Sequence, residues 1–120
     1  MDAQEIKDRI KWYHEEAYVK GNTAVNDEYF APDLKSLDWL TGEKGGLEEL
    51  KRNMEGLTNF SDIHFAIDDI VVEGNRAAYR WVASAKDAQG KVGHWGGISV
   101  HTFIDGKVAE DYHVGGEVKA

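Results

Sequence analysis

The sequence predicts an α+β fold in which a curved antiparallel β-sheet packs against three N-terminal helices, forming a cone with an internal pocket. Three observations carry this. Apolar residues recur at spacings of three and four through Leu57, then switch to every second residue from Asp62 onward. The alternating runs are separated by Gly74-Asn75, Asp87-Ala88-Gln89-Gly90 and Asp105-Gly106, which are reversal signals at hairpin spacing. Helices first and a meander of strands after them describe two layers, sheet and helices, around one core.

In chain order, Ile6, Ile10, Tyr13 and Ala17 lie on one face of a helix over residues 3–20, which ends before Gly21. His14 lies at the edge of that apolar stripe, where a half-buried boundary role is the plain alternative to a catalytic one, and Tyr18 follows one turn later. A second short helix, capped by Asn22 or Thr23, carries Val25, Tyr29 and Phe30 inward and stops around Pro32. Residues Asp33 to Trp39 alternate as a short extended segment, with Asp38 between Leu37 and Trp39. The ordinary role for an aspartate there is to initiate the turn toward Thr41-Gly42. Helix 3 follows Gly46 and turns Leu47, Leu50, Met54 and Leu57 to the core, a purely structural pattern. Ile63, Phe65 and Ile67 then share one face of a strand that leads through Val71-Val72 to Gly74-Asn75. The strand from Arg76 to Lys86 and the long strand from Val92 to Phe103 continue the meander.

The 120 residues, 42% hydrophobic, are enough for one domain spanning 1–120 with one core and too few for two. Twenty-two acidic against 14 basic side chains leave a net charge of −8, which argues against nucleic acid as a partner because phosphate binding needs clustered Lys and Arg. No apolar run reaches the ~18 residues that span a bilayer, and the polar start MDAQEIKDRI has no signal core, so no membrane partner and a cytoplasmic location are expected. With no cysteine, chemistry falls to carboxylates, histidines and hydroxyls.

Those groups concentrate in the last hairpin, GHWGGISVHTFIDGKVAEDYHVGG, over 93–116. Ser99 and His101 alternate on one strand, as do Asp111 and His113 on the other, so each pair points to one face. A three-residue loop at Ile104 to Gly106 with Gly106 as bulge residue places Ser99 opposite Asp111 and Gly97 opposite His113; a shift of one residue places Ser99 opposite Tyr112. Small residues (Ala77, Ala78, Ala83, Gly96, Gly97) leave room for a pocket on the concave side, with Trp39, Tyr79, Trp81, Trp95 and Phe103 as its apolar wall or, equally, as ordinary core. His94, His101, Asp111 and His113 lack the helical spacing of a hydrolase zinc motif, and no metal is expected. Ile98 and Val100 on one side of the sheet and Phe103 on the other leave apolar area that one helical layer does not cover, which predicts a homodimer through the exposed sheet face.

The segments EYFAPDLKSLDW, EGNRAAYRWVASA and GISVHTFIDGKVAEDYHV, in this order of elements, resemble the SnoaL-like polyketide cyclase family of the nuclear-transport-factor-2-like (cystatin-like) superfamily. The resemblance covers nearly the whole chain and specifies the fold more tightly than the reaction. It implies a pocket site at Asp38, Ser99, His113 and His14. Asp38 matches the aspartate base of ketosteroid isomerases, while His14 and Ser99 fall where those enzymes carry the tyrosine and the protonated acid of the oxyanion hole. His113 falls where SnoaL-like cyclases carry an acid/base carboxylate, and Ser99 where they carry a histidine. Serine is a poorer oxyanion donor than a neutral acid, and histidine works at a different pKa from a carboxylate, so neither mechanism transfers unaltered.

A carboxylate within about 3 Å of an imidazole fixes its tautomer and raises its basicity, so Asp38 with His113, or Asp38 with His14, forms the expected acid/base pair. Tyr18, Trp39, Tyr79, Trp81, Trp95, His101, Phe103 and Asp111 are the expected substrate contacts. The function expected is cofactor-independent proton transfer on a small hydrophobic carbonyl compound, of cyclase, isomerase or dehydratase type. The alternative is a non-catalytic ligand-binding or dimerisation module of the same fold.

Overall fold

The computed structural model describes residues 1–118. Helix α1 (Ala3–His14) opens with a capping box: Asp2 Oδ1 accepts the Glu5 amide at 2.8 Å, and Glu5 Oε1 accepts that of Asp2 at 3.3 Å. It widens into a π turn over Glu15–Val19 and stops at Gly21, whose φ of +71° ends the helix without strain. Helix α2 (Val25–Tyr29) starts after Ala24 with no side-chain cap, contrary to the expected capping by Asn22 or Thr23. The Asn22 amide instead reaches Glu16 Oε1 at 3.4 Å, and the first turn is closed by the backbone through Asn26 N to Thr23 O at 3.1 Å.

Six strands follow: β1 (Phe30–Asp38), β2 (Lys44–Gly45), then, after helix α3 (Leu47–Glu55) and a 3₁₀ turn (Gly56–Asn59), β3 (Ser61–Glu73), β4 (Arg76–Lys86), β5 (Val92–Ile104) and β6 (Lys107–Glu117). They form one sheet in the order β2-β1-β6-β5-β4-β3. The meander is antiparallel as expected, and one parallel pair, β1 with β6, makes the sheet mixed. Phe30, expected inside helix 2, is the buried first residue of β1. Pro32 lies where the β1–β6 register shifts, a place where its missing N–H leaves no gap in the ladder.

The last hairpin differs from its expected register by two residues. Asp105 (φ +52°) and Gly106 (φ +81°) form a two-residue turn between the paired Ile104 and Lys107, because positive φ at both central positions matches the twist of the strands. A bulge between Thr102 and Phe103 on the β5 side adds a further residue on β6. Ser99 therefore faces His113, His101 faces Asp111, and Gly97 faces Gly115. A two-residue offset preserves the face, so all four polar side chains point the same way.

The core lies between the helices and the concave face of the sheet, where Ile6, Ile10, Tyr13, Val25, Tyr29, Phe30, Met54, Ala77, Phe103 and Val108 are buried together. Tyr13 and Tyr29 stack at 4.2 Å and 9°. The Tyr13 hydroxyl donates to buried Asn26 Oδ1 at 2.6 Å, so the aromatic bulk enters the core with its polar tip satisfied.

Candidate active site

The concave face carries its side chains in rows, one residue from each strand, because paired strands place opposite residues side by side. The deepest row is Ala77, His101, Asp111 and Ser36; the next is Tyr79, Ser99, His113 and Asp38. Toward the open end come Trp81, Gly97 and Gly115, then Ala83, Trp95 and Glu117. A polar floor thus passes into an aromatic throat, and the helices leave above them a cavity of ≈ 510 Å³. Asp38, Ser99, His113 and His14 all line it, together with Tyr18, Tyr79, Trp81, Trp95, His101 and Asp111.

Two expected contacts do not. Trp39 is 47% exposed and leans on Tyr112 outside the cavity, because it follows the end of β1. Phe103 is buried against Tyr29 in the core, beyond the deepest polar row. Helix α3 and the 3₁₀ turn after it do more than expected of structural elements: Leu50, Asn53 and Met54 of the helix and Leu57 of the turn form part of the cavity wall. Phe65 is a further lining residue that sequence reasoning assigns only to a strand face. It stacks between Tyr18 (5.0 Å, 22°) and Trp81 (5.7 Å, 15°). Trp81 lies flat over the sheet because its row neighbours are glycines; a Cβ at Gly115 would stand 2.7 Å from its ring.

The expected carboxylate–histidine pairs are rearranged. Asp38 Oδ1 accepts the amides of Leu40 (2.8 Å) and Thr41 (3.1 Å), the turn-initiating role open to it from sequence, and these bonds hold its carboxyl below the ordinary range. It sits beside His113 in the β1–β6 register, but the carboxylate in contact with that ring is Asp111, with Oδ1 3.4 Å from Nδ1. His14 is not paired with Asp38. Its Nδ1 faces the Ile10 carbonyl at 2.7 Å, which only accepts, so Nδ1 carries the hydrogen and Nε2 accepts from the Tyr79 hydroxyl at 3.1 Å. His14 is 6% exposed rather than a wet boundary residue, and burial pushes its pKa down to about 3, leaving it neutral.

Around Asp111 the geometry tightens further. His101 Nε2 lies 3.2 Å from Asp111 Oδ1 and 3.2 Å from the Tyr79 oxygen, while its Nδ1 meets the Tyr29 hydroxyl at 2.8 Å. Sequence reasoning turns Tyr29 inward but gives no sign that its hydroxyl meets a residue 72 positions away. Neither Asp111 Oδ1 nor His113 Nδ1 has an aligned hydrogen bond, so their contact is one of charge and proximity. Burial by itself would raise the Asp111 carboxyl; the charge of His101, with the contacts from His101 and His113, outweighs it and holds the group well below the usual carboxylate range. Contact with Asp111 raises the pKa of His113 against the opposing effect of burial, and the charges of Asp111 and Asp38 add to the rise. His113 Nδ1 is fully buried, whereas the side chain as a whole is 35% exposed and faces the cavity. Among the described residues no three His, Asp or Glu side chains are grouped to hold a metal ion, and His94 lies apart, beside His64 and Ser84.

Residues 10–111 match the family model of the SnoaL-like domain. The chain belongs to the SnoaL-like domain family. Solved structures agree on the fold. A protein of Acidithiobacillus ferrooxidans, provisionally named a polyketide cyclase, superposes with a TM-score of 0.75 at 20% identity over 96% of this chain and 91% of its own. IdmH of Streptomyces antibioticus, also provisionally named a polyketide cyclase, gives 0.78 at 21% identity, covering 91% and 90%. AclR of Streptomyces galilaeus, provisionally named a hydroxylase, gives 0.77 at 22%, covering 91% and 79%. At such identities the likeness is one of fold, the NTF2-like arrangement of helices on a curved, unclosed sheet. No curated protein matches this SnoaL-like chain. No helix among its described residues is long and apolar enough to cross a membrane.

Proposed function

We propose that this SnoaL-like protein is a cofactor-independent enzyme that moves a proton on a small hydrophobic carbonyl compound, with His113 as the general acid/base and Asp111 as the carboxylate that orients it. The observation that carries this reading is the contact of His113 Nδ1 with buried Asp111 Oδ1 in a ring that faces the cavity. With Nδ1 turned inward, Nε2 is the nitrogen left to meet a ligand, and the raised basicity suits it to take a proton near neutrality. Tyr18, Phe65, Trp81 and Trp95 supply apolar surface for the body of the ligand. Ser99, opposite His113, is a hydroxyl placed for the carbonyl oxygen as charge develops there. Asp38 supports His113 through its charge, since its own oxygen is committed to the turn. Removal of a proton alpha to a carbonyl and its return elsewhere is the step that cyclase, isomerase and dehydratase types share.

This reading is testable before a natural substrate is known. In D₂O, a hydrophobic ketone such as 2-tetralone should exchange its alpha hydrogens faster with the wild-type protein than without it, and His113→Ala should abolish the gain. A ketone that raises the melting temperature without exchanging would overturn catalysis and leave a ligand-binding module. That second reading draws on one observation: the Tyr79 proton is committed to His14, so Ser99 is the remaining neutral hydroxyl donor of its row.

The assembly we propose is a homodimer through the convex face. Ile98 is 47% exposed and Val82 40%, both pointing away from the cavity on central strands where solvated polar residues would be the rule for a monomer.

A further inference from the structure

The buried polar cluster contains more proton-holding groups than the proposed reaction uses, and their contacts fix most of the hydrogens. His14 donates from Nδ1 to Ile10 O, so Tyr79 must donate to His14 Nε2 and present its oxygen as an acceptor to His101. His101 Nε2 then faces two acceptors, the Tyr79 oxygen at 3.2 Å and Asp111 Oδ1 at 3.2 Å, and must carry a hydrogen. That leaves Nδ1 as the variable site. Its partner is the Tyr29 hydroxyl, which donates to a neutral ring or turns to accept from a cationic one. His101 can therefore change charge in a site that is 2% exposed with the rotation of one O–H bond.

Asp111 Oδ1 is the common neighbour of His101 and His113, at 3.2 and 3.4 Å, and Asp111 is itself 8% exposed. A lone carboxylate there is uncompensated, and two imidazolium rings on one oxygen leave a buried excess of positive charge; a single cation makes the trio neutral. We propose that His101 and His113 hold one proton between them across Asp111, so that protonation of one keeps the other neutral.

Other groups facing the pair are consistent with this. His113 looks toward Asp38 on β1 as well as Asp111 on its own strand. His101 is enclosed by Tyr29 from α2, Tyr79 from β4 and Asp111 from β6, with neutral His14 of α1 behind Tyr79. Among the described residues, the only full negative charge directly on both rings is the shared one. The consequence deepens the proposed function: His101 becomes a positioning residue that acts through Asp111. With His101 neutral, His113 is the charged acid; with His101 charged, His113 is presented to the pocket as a neutral base.

The test is ¹⁵N NMR of histidine-labelled protein, which reads the charge and tautomer of each ring and needs no substrate. The imidazolium fractions of His101 and His113 should sum to one from about pH 7 down to about pH 5, where independent histidines would both be charged. In His113→Gln or His101→Gln, at least one surviving partner should move from a partial or zero fraction to nearly full charge at pH 7. A sum reaching two by pH 5, a sum near zero at pH 7, or no response in either variant would each overturn the shared proton. If both variants fail to fold, the wild-type titration alone decides. Independent titration with intact ketone exchange would leave His113 as acid/base and remove only the coupling, whereas coupled titration without exchange would sink the catalytic reading alone.

Discussion

His113 meets the carboxylate of Asp111, two residues back on its own strand, and not that of Asp38, its neighbour in the β1–β6 register. Residues i and i+2 of a strand share a face, so a bent pair of side chains there can touch without any loop to position them. Under the proposed function this contact assigns the orienting role to Asp111 in place of Asp38, and the two carboxylates should separate by mutation.

Asp111→Asn is expected to lower turnover by about 10²- to 10⁴-fold, as His113→Ala should, because it removes the charge that orients and activates the imidazole. It should also cost roughly 1 to 3 kcal/mol of stability, since His101 is left with a weaker partner in a buried site. Asp38→Asn keeps an oxygen for the Leu40 and Thr41 amides and should melt close to wild type with a modest loss of rate. Paired melts and ketone-exchange rates check this. A larger activity loss in Asp38→Asn than in Asp111→Asn would return the role to Asp38.

Stability should peak near pH 6.5. The folded pKa of His14 is depressed to about 3 from its unfolded value, so its contribution is present above about 6.5 and lost as pH falls toward 3. His113 has the opposite sign: its pKa is raised, so its contribution is present below about 6.5 and fades as pH rises through the folded value. Denaturant titrations across pH should show an acid limb to which His14 contributes up to about 1.4 kcal/mol per pH unit, so His14→Gln should make that limb shallower and leave the alkaline limb as it is. An unchanged acid limb in the variant would contradict the buried neutral state.

Gly115→Ala should destabilise the protein by roughly 1 to 3 kcal/mol, because the added methyl stands 2.7 Å from the Trp81 ring and 3.1 Å from Gly96 O. Trp81→Phe in the same chain should recover part of the loss. A double-mutant cycle measures the coupling, and additive losses would mean that Trp81 is not what the glycine accommodates.

Ile98→Lys should convert a dimer into a monomer in light scattering at micromolar concentration, leaving the far-ultraviolet circular dichroism unchanged. Wild-type protein that is already monomeric under those conditions would remove the convex-face dimer.

The sequence by itself determined the three helices, the long strands, their order and the layer architecture, though not the short β2 strand or the start of β1 at Phe30. Period-three-to-four spacing at Ile6, Ile10 and Tyr13, and period-two spacing in β3 to β6, are local signals that survive without knowledge of the partner surface. It also determined that Ser99 shares a face with His101, and Asp111 with His113; that the two pairs face the same way rested on the register, since a shift of one residue would have turned them apart. Only the tertiary structure decided which of them touch. That depended on a two-residue turn at Asp105-Gly106, a single bulge after it, and the parallel docking of β1 on β6, all of which depend on packing across distant segments. The partners that fix the hydrogens of the site, Tyr29 for His101 and Ile10 O with Tyr79 for His14, are set by the same closure of helices onto the sheet. No periodicity records such contacts, since a hydroxyl at the tip of a core tyrosine has the same sequence signature as one pointing at nothing.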